Sequence, residues 1–213
     1  MLTKLLKKTL LLIMMSITTS LAYAQTPSLP IISGIGGNFE ALNGKNKTIE
    51  FDSFKGKTVI IAFGYTNCAD ICPFTLGYLK QLYGLLTLEE QQQTQVIFIT
   101  IDPKYDTPEH LQEFVSFFHK DFIGLSGSPE QIKTITSLYQ AEYQLLSNEG
   151  SVNTKEIRRV TPKKTDDEHE KGDLFSHTVI LYLIDKKGQT RSLEYTGTPK
   201  EEFITKIRIL INE

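Results

Sequence analysis

The sequence predicts the α/β class, with a central mixed sheet flanked by helices. Three observations predict it. Two short runs rich in β-branched and aromatic residues, TVIIAFGY (Thr58–Tyr65) and VIFITI (Val96–Ile101), read as buried strands. Helical patterns lie between and after them, and strands that alternate with helices demand parallel crossovers. Near the C-terminus TVILYLI (Thr178–Ile184) and Thr190–Tyr195 follow one another across Lys187-Gly188, an antiparallel close before the last helix.

The chain opens MLTKLLKKTLLLIMMSITTSLAYA. Lys4, Lys7 and Lys8 precede an apolar run from Thr9 to Ser16, and Ala22-Tyr23-Ala24 makes a small-x-small site. This is the pattern of a cleaved secretory signal over residues 1–24. An uncleaved anchor is the rival reading, but the run is short of the about 20 apolar residues a span needs. Residues 25–33 (QTPSLPIIS) read as a linker, and 34–213 as one domain.

Within that domain, Gly34 to Phe51 alternates apolar and polar residues around Asn43-Gly44, an N-terminal hairpin signal. SFKGK turns the chain into the first core strand. After it, Leu76, Leu79, Leu82 and Leu86 recur at helical spacing over Pro73–Leu86. Three further helices start alike, at Thr107-Pro108, Ser128-Pro129 and Thr198-Pro199, each with a hydroxyl at the cap and proline next. They are expected over Pro108–Lys120, Pro129–Tyr139 and Pro199–Asn212, with capping boxes at Ser128/Gln131 and Thr198/Glu201. Phe122–Leu125 fits a short third strand. Residues 147–173 are polar and of mixed charge, a solvated insertion before the late strands with room for a hairpin around Ile157 and Val160.

Composition narrows the function classes. Without residues 1–24, which hold three lysines and no acid, 20 basic side chains face 25 acidic ones, a formal charge of −5. That excludes the basic footprint of nucleic-acid binding. All three methionines (Met1, Met14, Met15) lie in the N-terminal segment, so none remains to ligate a metal.

The chemistry concentrates in GYTNCADICPFTL, which holds the only two cysteines, Cys68 and Cys72. It follows the first core strand and enters a helix, a place where ligand sites of α/β sheets collect. Residues i and i+4 share a helix face, and a helix N-terminus stabilises thiolates. The pair is therefore expected to be close, reactive and near the surface. A structural staple is a weak reading, because closing so small a loop adds little stability. A redox pair and a metal clamp both remain. Zinc wants four ligands. Cu(I) is softer and accepts fewer. Histidine is the natural third donor, and there are four: His110, His119, His169 and His177. His110 and His119 lie on one predicted helix, His169 lies in a charge run, and His177 stands at the mouth of a late strand.

Four stretches together, FGYTNCADICPFTL, IDPKYDTPEHLQEFV, FIGLSGSPEQI and SHTVILYLIDKKG, resemble the Sco/SenC family over nearly the whole exported part. The resemblance implies a thioredoxin-like, peroxiredoxin-like fold. It implies copper, as Cu(I) or Cu(II), bound by Cys68, Cys72 and His177. It implies a metallochaperone rather than an enzyme, exported to the periplasm or held at the inner membrane by an uncleaved segment. Its client would be the cytochrome c oxidase subunit carrying CuA, or another periplasmic copper protein, with other copper chaperones as further partners. The alternative is a thiol–disulfide oxidoreductase that uses Cys68 and Cys72 as its redox pair on a periplasmic client. Its C-x-x-x-C spacing is one residue longer than thioredoxin-type pairs. Two positions depart from the family pattern: Ala69 stands where proline is common, and Ser176 where aspartate precedes the histidine. Asp70 matches a common acidic position. Asp102 lies near a strand end and reads first as a turn or cap aspartate, with a reach to the site as the other reading.

Overall fold

The computed structural model describes residues 27–146, 174–177 and 179–213. The N-terminal segment 1–24, His169 and the hairpin expected near Ile157 lie outside the described residues.

The strands are β1 (Glu40–Asn43), β2 (Thr48–Glu50), β3 (Thr58–Gly64), β4 (Thr94–Thr100), β5 (Ile123–Ser126), β6 (Tyr143–Leu146), β7 (Leu174–His177), β8 (Ile180–Ile184) and β9 (Thr190–Tyr195). The helices are α1 (Ile71–Gly84), α2 (Leu88–Gln92), α3 (Pro108–Phe118), α4 (Pro129–Leu138) and α5 (Lys200–Asn212). Among the described residues, seven strands form one sheet in the order β2-β1-β5-β4-β3-β8-β9, and β6 pairs with β7 in a second, two-stranded sheet. β3, β4 and β5 run parallel. β8 runs antiparallel to β3, and β9 to β8. The expected mixed sheet with an antiparallel close is what forms.

Every residue of β3 and β4 is buried. Parallel strands covered on both faces read as continuous apolar runs, which is how the sequence announced them. One face packs Phe98 against Phe114 of α3, ring centroids 6.2 Å apart. On the other, Phe63 meets Tyr139, just after α4, and Tyr182 of β8, each at 5.7 Å. α1 lies against α5 through Tyr78 and Phe203.

Local chemistry sets most boundaries. The first hairpin turns at Asn43, whose side-chain oxygen accepts from the N–H groups of Lys45 and Lys47. The Ser128/Gln131 capping box is present, and Thr107 caps α3 through the N–H of His110. The expected box at Thr198 is not formed. Thr198 Oγ1 instead accepts from Tyr195 N–H, closing the β9–α5 turn, and α5 starts with no side-chain cap. α2 has its own capping box at Thr87/Glu90. Its five residues are too few to show a helical period.

The described chain begins beside the end of the domain. Arg191, buried in β9, binds Asp185 and Glu213 and holds the backbone carbonyl of Leu29. Ile32 N–H donates to Thr190 carbonyl. Residues 29–32 of the expected linker are thus strapped to the edge strand, at the sheet end where β3 begins.

Candidate metal centre

The thiols lie at the opposite end, where β3 finishes. Their surroundings differ from the helix-face picture. Only Cys72 belongs to α1. Cys68 lies in the loop 65–70 before it, and the two meet because Cys72 N–H donates to Cys68 Sγ at 3.4 Å. Asp70 occupies the α1 N-cap, is exposed, and makes no side-chain cap. Pro73 falls in the first turn, where its missing N–H costs nothing.

Both thiols are buried, Cys68 at 8% exposure and Cys72 at 1%. This corrects the expectation of acidic thiols near the surface. The Cys72 pKa is pushed far up, first by its hydrogen bond with Cys68 and then by burial. A backbone hydrogen bond from Tyr65 opposes both without cancelling them. No disulfide joins the pair.

Gly64 makes the burial possible. A Cβ there would stand 2.7 Å from Cys72 Sγ and 2.5 Å from Phe98 Cζ. A glycine inside an otherwise β-branched strand signals such a close approach. That was the one sequence signal for this residue.

Asp102 is buried just past β4, its N–H bonded to Thr100 Oγ1 and its carbonyl accepting from Tyr105 and Asp106 N–H. The carboxylate that reaches the cysteine loop is the next one, Asp106. Its side chain accepts from Thr66 N–H at 3.0 Å, from the Thr66 hydroxyl, and from the Thr100 hydroxyl at 2.6 Å. Sequence reading missed it, because two aspartates four apart in IDPKYDTP offer no sign of which one turns inward.

The histidines separate. His110 is exposed, and its Nε2 is 3.1 Å from Thr66 Oγ1. His119 packs on Tyr83 with ring centroids 4.8 Å apart. Tyr83 lies eleven residues along α1 from Cys72, about 16 Å at helical rise. His119 is therefore remote. The backbone of His177 ends β7, opposite Tyr143 of β6. Three residues later β8 begins beside the end of β3, with Leu181 opposite Ala62. Three residues span at most about 10 Å, so the His177 backbone stays near the sheet end that carries the thiols. Among the described side chains no third His, Cys, Asp or Glu joins the thiols. The His177 side chain lies outside that set.

Two soft sulfur donors held in contact suit a soft, low-coordinate metal ion such as Cu(I). Ligation needs thiolates. The proton held on Cys72 must therefore leave as a metal arrives.

Comparison with known proteins finds relatives over most of the chain. The family model described as SCO1/SenC matches residues 32–212. A SCO2-like protein of Rickettsia felis is 32% identical over 168 residues, covering 78% of this chain and 73% of that protein. The structure of Bradyrhizobium japonicum ScoI with copper bound superposes with a TM-score of 0.63 at 27% identity, covering 83% of this chain and 99% of that one. BsSco, described with a disulfide switch as a member of the Sco family of cytochrome c oxidase assembly proteins, shares the fold at a TM-score of 0.61 and 18% identity, covering 87% of this chain and 98% of that one. The fold is the thioredoxin-like one that these proteins share.

Proposed function

The chain belongs to the SCO1/SenC family, and on that premise we propose that it binds copper through Cys68 and Cys72, with His177 as third ligand, and hands it to a cytochrome c oxidase subunit carrying CuA. Residues 1–24 direct export, and the domain 34–213 works in the periplasm, free or membrane-held. The observation that carries this reading is the thiol pair itself. Two buried sulfurs in hydrogen-bond contact sit at the end of β3, in space that Gly64 leaves open. Copper-bound ScoI of B. japonicum is similar over most of the chain.

Each part of the site has a role. The loop 65–70 and the first turn of α1 present both sulfurs from one side. Burial keeps water away from them and strengthens electrostatic attraction for a cation. The raised Cys72 pKa keeps the metal-free pair protonated, so uptake of copper releases protons. His177 would add a neutral nitrogen donor, which suits Cu(II). Oxidation of the two thiols forms one S–S bond and yields two protons and two electrons to an oxidant. The disulfide would be the metal-free, non-binding state.

The second reading, a thiol–disulfide reductase, draws on the same contact between the sulfurs. There the electrons of the thiol pair would pass to a client's disulfide. A buried thiol with a raised pKa is a slow nucleophile, which weighs against it.

Copper titration of the reduced protein and of His177→Ala tests the site. Wild type is expected to give a thiolate-to-Cu(II) charge-transfer band that the variant loses, while both retain Cu(I). An unchanged band in His177→Ala would exclude His177 as a ligand.

A further inference from the structure

The cysteine loop closes on itself through a turn bond from Cys68 N–H to Tyr65 carbonyl at 3.4 Å. At Thr66 it is also gripped from outside. Asp106 binds both the N–H and the hydroxyl of Thr66, two residues before Cys68. The carboxylate is itself pinned. It accepts from the Thr100 hydroxyl at the end of β4, its N–H donates to Asp102 carbonyl, and its carbonyl accepts from the Ser126 hydroxyl at the end of β5. One fully buried residue, through its carboxylate and its backbone, thus joins the ends of β4 and β5 to the loop that carries the thiols.

The network has an outer end. Thr66 gives its single hydroxyl hydrogen to Asp106, so its oxygen accepts from His110 Nε2–H. The chain runs from exposed His110 through Thr66 to the buried carboxylate. A buried carboxylate is costly unless its oxygens are bonded. Without it the Thr66 N–H and the hydroxyls of Thr66 and Thr100 would lose their shared acceptor.

We propose that Asp106 is a positioning residue for the thiol pair: through Thr66 it fixes the backbone on which Cys68 is presented to Cys72, with His110 as the outer support of Thr66. This rests on Cys68 and Cys72 being the working thiols of the copper site. The group acts through Thr66 and touches neither the metal nor a sulfur. Metal affinity depends strongly on residues that orient the ligands, by about 10–100-fold.

The variants separate the parts. In Asp106→Asn the charge goes and an amide nitrogen replaces one oxygen, so one of the three hydrogen bonds to the side chain is lost or must reverse its direction. Thr66→Val removes the hydroxyl and keeps the N–H bond. Thr66→Ser keeps both donors. His110→Ala removes only the outer support. Two readouts apply to each full-length reduced protein: Cu(I) affinity by competition with a chromophoric chelator, and the thiol–disulfide equilibrium constant against dithiothreitol. Near-UV circular dichroism checks the fold. The expected order of loss in copper affinity is Asp106→Asn, then Thr66→Val, then His110→Ala, with the first at about 10–100-fold. The thiol–disulfide constant should shift in the same order, and Thr66→Ser should match wild type.

A folded Asp106→Asn with both readouts unchanged overturns the proposal. So does a Thr66→Ser that behaves like Thr66→Val. If Asp106→Asn does not fold, Thr66→Val against Thr66→Ser decides. Should wild type itself fail to bind copper, the copper reading fails, while the thiol–disulfide constant still tests the positioning.

Discussion

Gly64→Ala tests the cradle directly. The added Cβ would stand 2.5 Å and 2.9 Å from Phe98 Cζ and Cε2, and 2.7 Å from Cys72 Sγ. Comfortable contact begins near 3.5 Å, so the sulfur must retreat by about 0.8 Å. A metal site tolerates about 0.2 Å in a bond, and productive sites hold their groups within about 0.5 Å. The expected loss in Cu(I) affinity is about 10–100-fold. Overpacking beside Phe98 costs about 1–3 kcal/mol of folding stability as well. The two effects are separable. In Gly64→Ala/Phe98→Leu the shorter side chain vacates the two ring contacts and leaves the sulfur contact. Urea unfolding should show that the double variant loses less than the two single changes together. Chelator competition should show its copper affinity still depressed to the level of Gly64→Ala. If Gly64→Ala binds copper as wild type does, Gly64 does not set the place of Cys72 Sγ. If the double variant regains affinity, Phe98 rather than the sulfur contact was the cause.

Alkaline pH should destabilise the reduced, metal-free protein through Cys72. A thiol with a raised folded pKa contributes stability that is fully present below its unfolded pKa, about 8.5, and lost as pH rises. Urea midpoints should therefore fall from about pH 8.5 upward in wild type and stay flatter in Cys72→Ser. Tyr78, Tyr83 and Tyr182, each raised to about 12 chiefly by burial, add their own loss above about pH 10. An equal slope in Cys72→Ser between pH 8.5 and 9.5 would remove Cys72 as the cause. At the other end of the sheet, Arg191→Met leaves Asp185 buried without its cation and releases the Leu29 carbonyl. Breaking a buried pair costs about 3–5 kcal/mol, so urea unfolding should register a loss of that order. Limited proteolysis should cut near residues 27–32 faster, with copper affinity unchanged. A loss below about 1 kcal/mol, the range of an exposed pair, would show that the clamp contributes little.

Strands β3 and β4 were legible because parallel strands buried on both faces must be continuously apolar, and nothing else of that length and β-branching competes. Starts of α3 and α4 were legible because a hydroxyl followed by proline satisfies the first free N–H groups locally. The same signal misled at Thr198, where the neighbouring turn took the hydroxyl for Tyr195 N–H. The pairing of β6 with β7 escaped notice because its partners lie on either side of residues 147–173, and no local pattern records a pairing across that gap.

At the site, the sequence alone determined which atoms can do chemistry. Two sulfurs, no methionine after residue 15 and four histidines follow from composition and spacing. Burial and contact are properties of three segments at once, so only the tertiary structure decided them. It removed Cys68 from the helix while keeping it against Cys72, because the loop before α1 is also held at Thr66 by Asp106 from beyond β4. It raised the Cys72 pKa where the helix start argued for lowering it, through the hydrogen bond with Cys68 first and burial second.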